Sequence, residues 1–261
     1  MGLLKGKSKR KATGIDEMSL VAHLSELRGR LMKSVLAIAV GAIAAYAAHQ
    51  QMLGFLQEPY CDYKGLRGED CEFLTTRPLE NFSVVLSVSG YGGLILAMPV
   101  ILYQLARFVL PGLYPKERRA LWPFFVVSVL LMAGGMVGGY LLMPKTLSVL
   151  LSFGTEEFTD KLSPGAYYGF FIKMVFAFGV AAQLPLVLVF LQSAGIVPTK
   201  ALKTNRRISV VAVVLLAAVI TPTGDPFTLL VMAVPMYLSY EVAIVIGGRM
   251  SKTRSPEQIG S

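Results

Sequence analysis

Hydrophobic residues come in six long stretches along this chain, each closed off by polar or basic segments. They run from Leu31 to Met52, Phe82 to Leu110, Leu121 to Met143, Ala166 to Ser193, Ile208 to Ile220, and Phe227 to about Gly247. A hydrocarbon core of ~30 Å asks for ~20 helical residues, so the first four stretches predict membrane-spanning helices. The fifth, at ~1.5 Å rise per residue, reaches only ~20 Å. The sixth is uninterrupted only from Phe227 to Tyr240, where Glu241 breaks in. Read together they predict an all-α polytopic membrane protein with six transmembrane helices, the last two short. Short spans call for local bilayer thinning or shielding by partners.

Proline and glycine refine that outline. Pro99, Pro185 and Pro235 fall inside apolar stretches and predict kinks, bending the bundle into an open, cupped shape. Gly134, Gly135, Gly138 and Gly139 form overlapping small-xxx-small pairs that allow helices to approach closely. Ahead of the first stretch, Met18, Val21, Leu24, Leu27 and Leu31 recur at helical spacing, so a polar helix leads into it.

Composition agrees with the pattern and charge orients it. The chain is 54% hydrophobic and 16% charged over 261 residues, too apolar for a soluble domain of this size. Its net charge of +9 is not a nucleic-acid signal, because cytoplasmic loops of membrane proteins collect Lys and Arg. Basic residues crowd the N-terminal tail, the loop with Lys116, Arg118 and Arg119, the loop with Lys200, Lys203, Arg206 and Arg207, and the C-terminal tail. Acids dominate the segment holding Glu58, Asp62, Glu69, Asp70, Glu72 and Glu80. Six spans with this bias place both termini in the cytoplasm. The expected organisation is a basic tail over residues 1–17, one membrane domain over 18–247, and a C-terminal tail over 248–261.

Chemistry is sparse. GLLKGKS, Gly2 to Ser8, has three residues between its glycines where a phosphate-binding loop needs four, and it follows no strand. His23 and His49 have no metal-ligand spacing to Cys, Asp or Glu, and no nucleophile motif occurs. The pattern therefore points away from an enzyme and implies no cofactor and no metal. Cys61 and Cys71 both fall in the first outside segment, where a bridge ten positions apart is the expectation and two free thiols the alternative.

Two acids carry the candidate recognition chemistry. Glu26 lies in HLSELRGRL beside Arg28 and Arg30, and Glu117 lies in PKERR among Lys116, Arg118 and Arg119. Each has a structural reading, as an i,i+4 pair with Arg30 for Glu26 and as a first-turn acid behind Pro115 for Glu117. Each has a functional reading as a receptor for a cation. Spacing alone leaves both open.

HLSELRGRL, MPVILYQLARFVLPGLYPKERR, FAFGVAAQLP, TPTGDPF and AVPMYLSYE, in this order, resemble TatC, the multi-spanning core subunit of the twin-arginine protein translocase. The resemblance extends from about Ser19 to Gly247. It implies a receptor that binds twin-arginine signal peptides on its cytoplasmic face, with Glu26 and Glu117 as the acids and Arg28, Phe108, Leu113 and Tyr114 around them. A guanidinium binds carboxylate as a rigid two-pronged fork, which lysine cannot imitate. The family further implies single-span TatA and TatB partners, other copies of the chain, a bacterial cell membrane, and export of folded cargo driven by the proton gradient.

Gln183 matches a position where many relatives carry glutamate, a polar contact for those partners, and Thr221 and Pro222 belong to the same expectation. Glutamine keeps the hydrogen bonds but not the charge. Pro59 matches a family proline. Asp225 matches a family acid in a tight turn and reads equally well as a turn residue. Glu241 reads as a residue with a structural partner or with a transport role. Lys173 has no counterpart and is expected to snorkel toward the interface. The competing class is a small-molecule secondary transporter, which usually shows repeated halves; residues 31–143 and 166–247 show no such repeat.

Overall fold

The apolar stretches become helices because every backbone amide in lipid must find its partner within its own segment. The computed structural model describes residues 20–65, 71–109, 121–152, 162–193, 195–221 and 225–253. Among them there are nine helices and no strand. These are α1 (Leu20–Ala47), α2 (His49–Gly65), α3 (Glu80–Val109), α4 (Leu121–Ser152), α5 (Pro164–Ala181), α6 (Leu184–Ser193), α7 (Thr199–Thr204), α8 (Arg206–Ile220) and α9 (Pro226–Thr253). Five stretches are long and apolar enough to cross a membrane: Leu24–Ala47, Glu80–Phe108, Trp122–Ser152, Pro164–Ser193 and Pro226–Arg249. At 15 residues, α8 falls short of that length.

Helix ends follow local chemistry. Ser163 caps α5, its hydroxyl accepting from Ala166 N, with Pro164 at the first helical position. The stretch from 166 to 193 breaks at Ala182 and Gln183, because Pro185 offers no amide and crowds the carbonyl four residues back. Gly195, at φ 74°, ends the next helix in the left-handed conformation, and the amides of Ile196 and Val197 fold back onto Leu191 O.

Three boundaries differ from the pattern. The first apolar run does not continue as one span to Met52: α1 stops at Ala47, and α2 carries the chain on to Gly65 as a helix of its own. Pro59 sits buried inside α2, in the connection between the first two apolar stretches. The last helix is not short, since α9 has 28 residues and runs past Gly247. Glu241 does not end it because Arg206 and the Tyr237 hydroxyl both reach its carboxylate, at 3.0 Å each.

Packing is concentrated in three places. α1 crosses α3 through small residues, and a Cβ added at Gly93 would lie 2.3 Å from Ala42 N and 2.4 Å from its Cα. Only glycine fits there. Gly135 and Gly139 of α4 let α5 approach, with Phe178 against both, whereas a Cβ added at Gly134 or Gly138 would meet no neighbouring helix within 4 Å. At the α2 end, Tyr60, Tyr167 and Phe171 are fully buried with Val88, Met143 and Leu147. Most other large apolar side chains along the helices face outward, as expected where the solvent is hydrocarbon.

Candidate functional site

Glu26 is the single acid of α1. Arg30 Nε donates to its Oε1 at 3.1 Å, and Arg30 Nη2 donates to the same oxygen. The pair is one helical turn apart, and the Glu26 side chain stays 25% exposed. Arg28 is exposed beside it, and Leu24, Leu27 and Leu31 project outward at 62%, 41% and 60% exposure. This end of α1 thus offers one partly engaged carboxylate inside an uncovered apolar and basic surface.

Phe108 arrives at the same end from α3. Ala42 packs on Gly93 and Ala45 on Gly92, so the two helices run antiparallel. Glu26 precedes that crossing by about the length by which Phe108 follows it, ~22 Å at ~1.5 Å per residue. Phe108 is half-buried at the tip of α3. Glu117, Leu113, Tyr114 and Pro222 lie outside the described residues.

A second polar position lies between helices. Gln183 Oε1 accepts from Ser128 Oγ at 2.8 Å, and Gln183 Nε2 donates to Ser128 O at 3.0 Å. The amide is therefore satisfied on both sides by α4. Around it runs a groove of about 300 Å³ lined by Leu102, Leu105, Phe124, Leu186 and Phe190, among others. Its walls are almost wholly apolar, with the Gln183–Ser128 pair as the polar mark.

The remaining candidates scatter. Thr221 is 8% exposed and its hydroxyl donates back to Ala217 O at 2.9 Å, closing α8. Asp225 accepts from Thr228 N at 2.7 Å and from Thr228 Oγ1, the N-cap geometry at the start of α9. Glu241 has the structural partners Arg206 and Tyr237 already described. Lys173 is exposed between buried Ile172 and Met174. Cys61 and Cys71 form a disulfide, Cα to Cα 5.0 Å. Ser128 and Arg206 escape a reading of the sequence because they stand 55 and 35 residues from the groups they bind.

These features define a multi-pass α-helical membrane protein whose polar chemistry sits at helix ends and at one interhelical groove. Residues 22–235 match the family model described as "Sec-independent protein translocase protein (TatC)". A protein of that name from Magnetococcus marinus is 37% identical over 240 residues, covering 92% of this chain and 87% of its own length. One from Frankia casuarinae is 37% identical over 240 residues, covering 89% of this chain; the chain spans 66% of that relative's length. The crystal structure of a twin-arginine translocase receptor, TatC, superposes with a TM-score of 0.76 at 34% identity, covering 88% of this chain and 99% of the other. The chain belongs to the TatC family of Sec-independent protein translocase proteins. It is a transport component of the membrane and not an enzyme.

Proposed function

We propose that this chain is the signal-peptide receptor of a twin-arginine translocase in a bacterial cytoplasmic membrane. It crosses six times with both termini inside, α8 making the fifth crossing through a thinned bilayer. Glu26, with Glu117, grips the paired arginines of the leader, while Arg28, Phe108, Leu113 and Tyr114 shape the surface around them. Single-span TatA- and TatB-type helices seat along the cupped face at Gln183, toward Thr221 and Pro222, and further copies of the chain complete the complex. The proton gradient drives export of the folded cargo.

One observation carries the reading: Glu26 is the lone carboxylate of α1 and meets a guanidinium there already. Arg30 occupies a site that an incoming arginine can enter by exchange, at little net cost in charge. The test is a cell lacking its own TatC. With matching TatA and TatB, this chain restores export of a folded twin-arginine substrate. The double variant Glu26→Ala, Glu117→Ala inserts normally but loses cross-linking to the leader. Undiminished cross-linking in the double variant refutes the assignment.

A further inference from the structure

The largest concentration of positive charge in the described residues lies away from Glu26, where α7, α8 and α9 meet. Tyr240 of α9 donates to Leu202 O of α7 at 2.7 Å, and Arg206 of α8 pairs with Glu241 of α9 at 3.0 Å. A Cβ placed on Gly248 would stand 3.7 Å from Lys203 Nζ. Those three contacts gather Lys200, Lys203, Arg206, Arg207 and Arg249 at one end, all exposed. The one acid in these three helices is Glu241, and Arg206 already engages it.

An apolar track begins directly beside the cations. Ile208, Val211, Leu215 and Val219 follow one another at three- and four-residue spacing down the outer face of α8. They are 68%, 58%, 61% and 82% exposed. Charge at the head of a bare apolar stripe is the complement of a phospholipid: an anionic headgroup joined to acyl chains. The 15 residues of α8 span only ~22 Å, so lipid beside it must sit deeper than elsewhere, with its phosphate level with these side chains.

We propose that this corner is a binding site for an anionic phospholipid, its phosphate held by Lys200, Lys203 and Arg207 and its chains laid along α8. A free phosphate would use the cations and leave the stripe idle. The proposal takes the inside orientation given above, but binding itself can be read on the purified chain whatever the orientation or receptor activity.

The full chain in neutral detergent micelles is titrated with phosphatidylglycerol, phosphatidylcholine and glycerol phosphate, and bound lipid is counted by native mass spectrometry. Phosphatidylglycerol is retained in preference to phosphatidylcholine, and glycerol phosphate does not displace it. In the triple variant Lys200→Gln, Lys203→Gln, Arg207→Gln the affinity falls on the order of a hundredfold, at roughly fivefold per cation. Exchange of the two lysines for arginine keeps it. On the unaltered chain, which avoids any folding defect in the variants, retention weakens as ionic strength rises. Equal retention of the two lipids, displacement by glycerol phosphate, or a triple variant binding like the parent overturns the proposal. Failure to restore export in cells would remove the receptor reading and leave this result standing.

Discussion

The two ends of this molecule are built on opposite plans. At the α2 end, rings interlock: Tyr60 stacks on Phe73 at 4.8 Å, and Tyr167 lies 5.2 Å from Tyr60 and 5.4 Å from Phe73. The Tyr167 hydroxyl donates to Leu56 O at 2.6 Å, and Tyr140 donates to Phe55 O at 3.1 Å. The Cys61–Cys71 bridge ties the segment that leads into α3 to α2, and Glu80 accepts from Thr76 N and Gly165 N at 3.0 Å each. At the Glu26 end, by contrast, Leu24, Leu27 and Leu31 of α1 stay bare. One end is closed upon itself and the other keeps its apolar side chains exposed. The close crossing at Ala42 and Gly93 fixes the second half of α1, and the receptor role proposed above falls to its first turns.

That contrast is open to attack at the closed end first. Phe171 is fully buried, so Phe171→Ala costs about 3–5 kcal/mol, seen as a lowered melting temperature in detergent. Leu27→Ala, at an open position, changes stability by no more than about 0.5 kcal/mol. Equal losses would abolish the distinction between the ends. Next in size, Cys61→Ser with Cys71→Ser costs about 3 kcal/mol in the chain-entropy account. On the unaltered chain, thiol alkylation at both positions needs prior reduction.

The anchor between the two ends comes third. Gly93→Ala forces a methyl against the Ala42 backbone and costs about 1–3 kcal/mol. Gly134→Ala meets nothing within 4 Å and leaves the melting temperature unchanged or slightly raised, because alanine is the better helix former. A Gly93→Ala chain as stable as its parent would mean that α1 is not held where it crosses α3.

Much of this layout is visible in the order of residues, and what is not has physical reasons. Long apolar runs announce α3, the start of α4, and α9 because a spanning helix must be apolar over most of its length. α2 is harder to see: it is nearly neutral in hydropathy and carries Pro59, so it resembles a loop. A signal is nonetheless there, since Leu53, Leu56, Tyr60 and Tyr63 recur at three- and four-residue spacing. α4 runs on past Pro144 and Lys145 to Ser152. Glu241 of α9 finds Arg206 on another helix, beside Tyr237 on its own, and Gln183 finds Ser128 across helices in the same way. Local pattern reveals which groups are polar, whereas tertiary packing decides which of them are already spent.

Glu26 is where that distinction matters most, and its replacement should have the smallest effect on stability. Glu26→Gln removes one i,i+4 ion pair on a partly exposed helical turn, worth a few tenths of a kcal/mol. The melting temperature is therefore nearly unchanged. Binding responds differently, because the neutral amide cannot offer two anionic oxygens to a guanidinium fork. Cross-linking of a twin-arginine leader to the N-terminal segment of α1 drops in this variant, whereas that of a twin-lysine leader changes little. Arg30→Gln supplies the converse, since it removes one guanidinium that competes with the leader for Glu26, and it strengthens capture of the leader while leaving the closed end untouched. If Arg30→Gln weakened capture as much as Glu26→Gln does, the pair would be acting as one structural unit, and the open end would owe its recognition to some other group.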